Sequence, residues 1–236
     1  LAFAKGDGET DVHDKLSLLA YEHKELDIPI ATKTEGDLIL TINTGKLNVY
    51  KTFPIRKSLT YEKGDLFFDN FIRGMQQWTL NGGQWHTTNG LVEGSGTRHF
   101  AFIQNSAWRD YVFEVKIRTQ GSNDPTVDWS DFYIYFRLQD ENNFYRFGVH
   151  GYGDEVDLQK YVDAKWQKIT STSFTAKINK WYALRIEVRG SNIIGYINGE
   201  KVVEANDDTF SSGGIGIGTF YHSMNCEYKD VIVKKL

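Results

Sequence analysis

The sequence predicts an all-β chain built around an antiparallel β-sandwich, with a small β region ahead of it. Three observations carry this. Apolar and polar residues alternate at period two over several stretches of seven or eight residues, the pattern of half-buried antiparallel strands. Turn-forming residues punctuate the chain every 8–12 residues or so, roughly the spacing of sandwiches and barrels. No stretch makes a convincing amphipathic helix. The sandwich is expected over residues 65–236 and the smaller region over residues 1–60.

The first 60 residues are strand-like at 16–19, 37–42 and 47–53, punctuated by Pro29 and Pro54. They read as a small β subdomain, as the tail of an upstream domain, or as strands that extend the main sandwich. Residues 57–64 serve as linker. Farther on, 111–118 puts Tyr111, Phe113, Val115 and Ile117 on one face. Residues 131–138 do the same with Phe132, Ile134, Phe136 and Leu138, which leaves Asp131, Tyr133, Tyr135 and Arg137 on the face away from the core. Asp140-Glu-Asn-Asn143 turns the chain into 143–149, where Tyr145, Phe147 and Val149 face inward and Arg146, His150 and Tyr152 outward. Residues 181–189 bury Tyr182, Leu184, Ile186 and Val188. Asn198-Gly199 closes a hairpin, because both residues tolerate positive φ. Gly214 to Gly218 carries glycine at every second position, which suits a strand lying close to another backbone. Residues 228–233 form the last strand.

Composition excludes several classes. A net charge of −4 and a pI near 5.9 do not supply the basic surface that nucleic acid requires. No apolar run reaches the ~18 residues of a membrane helix, and no basic-plus-apolar leader opens the chain. The chain begins at Leu1 without methionine, as expected of a mature or trimmed piece of an extracellular or cell-surface protein. A single cysteine, Cys226, excludes an intrachain disulfide framework.

The order of motifs carries a family likeness. Phe67-Phe-Asp-Asn-Phe71 leads to Trp78, Gly83-Gln-Trp85 and Asn89-Gly-Leu91. Asp110-Tyr-Val-Phe-Glu114, the two aromatic strands, Val156-Asp-Leu-Gln-Lys160, Lys180-Trp-Tyr-Ala-Leu-Arg185, Ile197-Asn-Gly199 and Gly213-Gly-Ile-Gly-Ile217 follow in turn. Over residues 65–236 this resembles concanavalin A-like and laminin-G-like jelly rolls, in particular levanase-type carbohydrate-binding modules and 3-keto-disaccharide hydrolase-type domains. The resemblance implies a jelly-roll fold. It leaves function open, because the fold hosts lectins, enzymes and adhesion modules. It also implies a structural calcium shared by Asp69, near the first strand of the sandwich, and Asp230, in the last.

Catalysis on this fold needs two carboxylates flanking a glycosidic bond. Glu155-Val-Asp157 begins such a pattern, but Gln159 and Lys160 stand where the next carboxylate belongs, so these acids read as polar-face residues. The histidines are scattered, with no metal-ligand spacing. Gly6-Asp-Gly-Glu-Thr-Asp11 lacks the spacing of a calcium loop. The face carrying Tyr133, Tyr135, Arg137, Arg146, His150 and Tyr152, bordered by Trp129 and Trp166 in expected loops, is different. Its rings suit the C–H faces of sugars, and its guanidinium and hydroxyl groups suit sugar hydroxyls. The expectation is a non-catalytic carbohydrate-binding or adhesion module whose partner is a polysaccharide or glycan. The alternatives are a glycan hydrolase or lyase, and a structural subunit that self-associates through residues 1–60.

Overall fold

The computed structural model describes residues 64–236 apart from Ser106, Asn123, Pro125, Asp128 and residues 220–223, and it gives the backbone of four strands nearer the N-terminus. The chain divides into two compact units, Leu1–Ser58 and Leu59–Leu236.

In the first unit, β1 (Ala2–Lys5), β2 (Val12–Asp14), β3 (Gly36–Asn43) and β4 (Asn48–Ile55) form one antiparallel sheet in the order β2-β1-β3-β4. The expected strands at 37–42 and 47–53 correspond to β3 and β4. The stretch 16–19 and the acidic stretch 6–11 lie outside the described residues.

The second unit contains fifteen strands among its described residues: β5 (Asp65–Asp69), β6 (Thr79–Asn81), β7 (Gln84–Thr88), β8 (Leu91–Ser95), β9 (His99–Ile103), β10 (Tyr111–Ser122), β11 (Phe132–Asp140), β12 (Asn143–His150), β13 (Glu155–Val162), β14 (Lys165–Ser173), β15 (Tyr182–Arg189), β16 (Asn192–Ile197), β17 (Glu200–Asn206), β18 (Gly214–Thr219) and β19 (Met224–Lys235). They build two antiparallel sheets. One runs β17-β16-β15-β10-β19-β8-β7, with β5 also on β19; the other runs β14-β13-β12-β11-β18-β9-β6. No α-helix occurs among the described residues; one 3-10 turn, Gly151–Gly153, links β12 to β13.

The core lies between the sheets. Phe113, Val115, Ile117, Leu184, Ile186 and Val188 from the first sheet meet Phe132, Ile134, Phe136, Phe147, Val149, Ile215 and Ile217 from the second, all fully buried. Removing each such side chain from water contributes about 1.5–3 kcal/mol. Phe132 stacks on Tyr182 with ring centroids 5.4 Å apart, and Phe136 on Tyr145 at 5.2 Å.

The Asn198-Gly199 hairpin forms with φ of 52° and 85°. The glycines of β18 also behave as the spacing predicts. A Cβ at Gly214 would lie 1.9 Å from the Ile103 carbonyl oxygen, and one at Gly216 would lie 2.7 Å from the Phe100 ring.

Alternation along β11 fails at one place, and this corrects the sequence reading. Phe136 pairs with Ile215 and Leu138 with the adjacent Gly214, so Arg137 is an extra residue in a β-bulge. Its φ is 44°. The bulge reverses every side chain after it. Leu138 therefore joins the outer cluster with Tyr133 and Tyr135, instead of the core face with Phe136.

Candidate functional site

The outer face of the second sheet holds a second cluster of buried rings: Phe100 and Phe102 from β9, Tyr133 and Tyr135 from β11, and Phe144 from β12, with Tyr161 and Trp166 packed against them. Register explains the grouping. Tyr135 sits opposite Arg146, and Arg146 opposite Gln159. One row along, Tyr133 faces Gly148, and Gly148 faces Asp157. Gly148 leaves room for its neighbour, since a Cβ there would lie 2.9 Å from Tyr133 Cδ1.

Arg146 is the centre of this face. Its guanidinium lies 3.8 Å from the Tyr133 ring centroid and 4.2 Å from that of Trp166. Nη2 donates to Gln159 Oε1 at 3.0 Å and lies 3.8 Å from Asp157 Oδ2. Gln159 in turn donates to Asp157 Oδ2 at 2.5 Å. Around Arg146, four buried side-chain atoms have no hydrogen-bond partner among the described residues: Arg146 Nε and Nη1, Asp157 Oδ1 and Tyr135 Oη.

The electrostatics are mixed. Burial pushes the Asp157 carboxyl above its ordinary range, against the pull of Arg146, His150 and the Gln159 hydrogen bond. Burial acts to lower Arg146, but Tyr133, Asp157, Tyr135 and Asp131 outweigh it and leave the guanidinium raised and charged. The long 3.8 Å separation fits this unequal response, with burial dominating at the carboxyl. Burial also raises the Tyr133 and Tyr135 hydroxyls, so both are protonated donors at neutral pH. Glu155 is held low, first by its hydrogen bond from Lys168 and then by Ser171 and His150.

At the end of this row, His150 and Glu155 oppose each other across β12 and β13. His150 Nδ1 lies 3.5 Å from Glu155 Oε1, and the Lys168 ammonium also contacts that oxygen. Beyond them, Tyr152 is 74% exposed in the 3-10 turn and meets the Trp129 ring edge-on at 5.3 Å. Tyr133, Tyr135, Arg146 and His150 thus share one face, with Trp129 and Tyr152 at its end. Trp166 belongs to strand β14 and stacks on Arg146, where the sequence suggested a bordering loop.

Arg137 does not belong here, contrary to the alternation. The bulge turns it away, and its fully buried side chain donates from Nη1 to Phe210 O at 2.9 Å and from Nη2 to Arg109 O at 3.2 Å. Its backbone N–H donates to the Tyr111 hydroxyl at 2.8 Å. It fastens two loops together.

Asp69 and Asp230 do not fit a shared calcium either. Asp69 accepts from Phe71 N at 2.7 Å and from Trp78 Nε1 at 2.8 Å. Those are the surroundings of a turn-capping anion rather than a cation shell. Asp230 pairs with Lys116 at 2.9 Å.

Sequence alone reads Glu155 and Asp157 as polar-face residues and finds Gln159 where a further catalytic carboxylate would stand. A signal was available: Glu155, Asp157 and Gln159 alternate with Val156 and Leu158, which places three polar side chains on one strand face.

Comparison with known proteins sets this geometry in context. The family model for the 3-keto-alpha-glucoside-1,2-lyase-like domain matches residues 67–234. A levanase of Bacillus subtilis is 24% identical over 151 residues, which are 64% of this chain and 22% of the levanase. The chain thus spans little more than a fifth of that relative. A carbohydrate-binding module from Bacillus subtilis superposes with a TM-score of 0.56 at 22% identity, over 68% of this chain and 97% of the module. A β-glucanase of Bacillus licheniformis gives 0.54 at 11% identity, over 74% of this chain and all of that one. These likenesses establish the jelly-roll fold.

Proposed function

Because the chain belongs to the 3-keto-alpha-glucoside-1,2-lyase-like domain family, we propose that its Leu59–Leu236 unit is a carbohydrate-recognising module whose ligand is held on the Arg146 face. The observation that carries this reading is the set of buried, unpartnered polar atoms on Arg146, Asp157 and Tyr135 inside a wall of rings. Leaving such atoms unsatisfied costs about 1–3 kcal/mol each. A sugar hydroxyl both donates and accepts, so one diol can answer the Arg146 N–H groups and Asp157 Oδ1 together. The partly buried rings of Tyr161 and Trp166 supply apolar area for sugar C–H faces. The levanase relative makes levan the first ligand to try.

On this reading the module binds without cleaving and works outside the cell or at its surface. Self-association through residues 1–60 is a separate proposal, tested by sedimentation of the chain with and without them. A second reading, glycan cleavage, has one observation in its favour. Glu155 and Asp157, on one strand face, are displaced in opposite directions from the ordinary carboxylate range, as in an acid and base pair.

The test is calorimetric titration with fructan, glucan and glucoside panels, with the supernatant assayed for released sugar. Arg146→Lys and Asp157→Asn should each weaken binding at least about tenfold, as expected when a charge-assisted hydrogen bond worth ~1.5–3 kcal/mol is lost. Circular dichroism should show both variants folded. Undiminished binding by both folded variants refutes the assigned face, and sugar release establishes the second reading.

A further inference from the structure

The geometry points to a divalent-cation site formed by His150, Glu155 and Asp157, and we propose that it takes a borderline first-row ion of the Zn²⁺ class. His150 and Glu155 are a direct cross-strand pair, and Asp157 is the next residue on the same face of β13. Neighbouring strands thus bring one imidazole and two carboxylates to one patch of sheet. One ligand atom from each lies within 4.8 Å of the other two. An ion bound at about 2.0–2.2 Å from nitrogen and oxygen ligands separates them by roughly 3–4 Å, so small side-chain rotations close the set.

A second, independent observation concerns Asp157 alone. Its side chain is fully buried, and Oδ1 has no partner among the described residues, while Oδ2 is taken by Gln159. A wholly buried carboxylate with one free oxygen lacks a donor or a cation. The hydrogen bond from Gln159 would serve as the outer support that orients a ligating carboxylate.

The surrounding charges set the character of the site. Lys168 contacts Glu155 Oε1 from a side chain that is about half exposed, so a positive charge already rests on the carboxylate. An incoming ion must displace it. Arg146, fixed by its two rings, remains near Asp157 and limits affinity. The imidazole selects against Ca²⁺ and Mg²⁺, which prefer all-oxygen shells. Three protein ligands leave coordination positions open. That sugar hydroxyls fill these positions rests on the carbohydrate reading; the ion site itself does not.

The experiment is competition for Zn²⁺ between the chelator-stripped full chain and a chromophoric zinc indicator, repeated with Ca²⁺. The expected result is one Zn²⁺ per chain, with affinity reduced about tenfold or more in His150→Ala. Lys168→Ala should bind Zn²⁺ several-fold more tightly, a gain that a merely structural lysine would not give. Absence of stoichiometric Zn²⁺, uptake unaltered in His150→Ala, or binding of Ca²⁺ in preference to Zn²⁺ overturns the proposal. Glycan titrations with and without Zn²⁺ keep the two ideas apart. Zn²⁺ uptake without glycan binding removes only the carbohydrate reading. Glycan binding by a chain that takes up no Zn²⁺ removes only this one.

Discussion

Acid should destabilise the sandwich through one residue, His99. The imidazole is fully buried between β9 and its neighbours. Nδ1 lies 3.3 Å from the Gly96 carbonyl oxygen, which can only accept, and 3.3 Å from the Thr219 hydroxyl, whose oxygen can share the same proton, so Nδ1 carries the proton. Nε2 then accepts from the Tyr228 hydroxyl at 3.0 Å. The Trp85 ring edge closes the pocket with centroids 5.3 Å apart, and a Cβ at Gly83 or Gly94 would strike the histidine. Burial lowers the pKa from 6.5 to about 4 against the raising effect of the Gly96 hydrogen bond.

The sign follows from proton counts. Between pH 6.5 and about 4 the unfolded chain binds a proton that the folded chain refuses, so stability falls as pH falls through this window. The loss amounts to roughly 2 kcal/mol from pH 7 to pH 5 and about 3 kcal/mol by pH 4. Urea unfolding of the wild type and of His99→Gln at both pH values measures it. The variant is less stable at pH 7, but its stability should change about 2 kcal/mol less between the two pH values. An equal pH dependence in the two proteins would show that His99 protonates in the folded state and refute the argument.

Two other outcomes are expected. Arg137→Ala removes two carbonyl contacts and the tie between the Arg109 and Phe210 loops. It should cost roughly 2–4 kcal/mol in urea unfolding and leave glycan affinity unaltered, and a selective loss of binding would return Arg137 to the site. Asp69→Ala strands the Phe71 and Trp78 N–H donors at a cost of about 2–4 kcal/mol. Calcium and chelator should leave the wild-type melting temperature in place; a calcium-dependent rise abolished in Asp69→Ala would restore the shared-ion expectation.

Much of this face was legible in period two. Alternation alone put Tyr133 with Tyr135, and Arg146 with His150, because side chains in regular strands obey a strict two-residue rule. Arg137 defeats that rule, since one inserted residue inverts everything beyond it and nothing in Phe136-Arg-Leu138 announces the insertion. Asp157 and Gln159 were hidden for another reason. Their proximity to Arg146 is a matter of register between strands, which a single sequence does not encode locally. Strand β14 escaped notice because it is an edge strand, mostly exposed along Lys165–Ser173, and so lacks the apolar alternation that marks its neighbours. The N-terminal strands β3 and β4 are strand-like in sequence, whereas β1 and β2 are too short to stand out.

The position of β19 has a consequence for how the protein is made. This strand pairs with β10 along one edge and with β5 and β8 along the other. During synthesis, strands emitted early must wait with their pairing edges open until residues 224–235 clear the ribosome. Closure is therefore a late event spanning nearly the whole unit, of the kind that makes folding slow. A nascent chain stalled ahead of Met224 would present unsatisfied strand edges to chaperones and to other chains. Ribosome arrest at successive lengths, read out by protease resistance, would register that closure as an abrupt gain once β19 emerges.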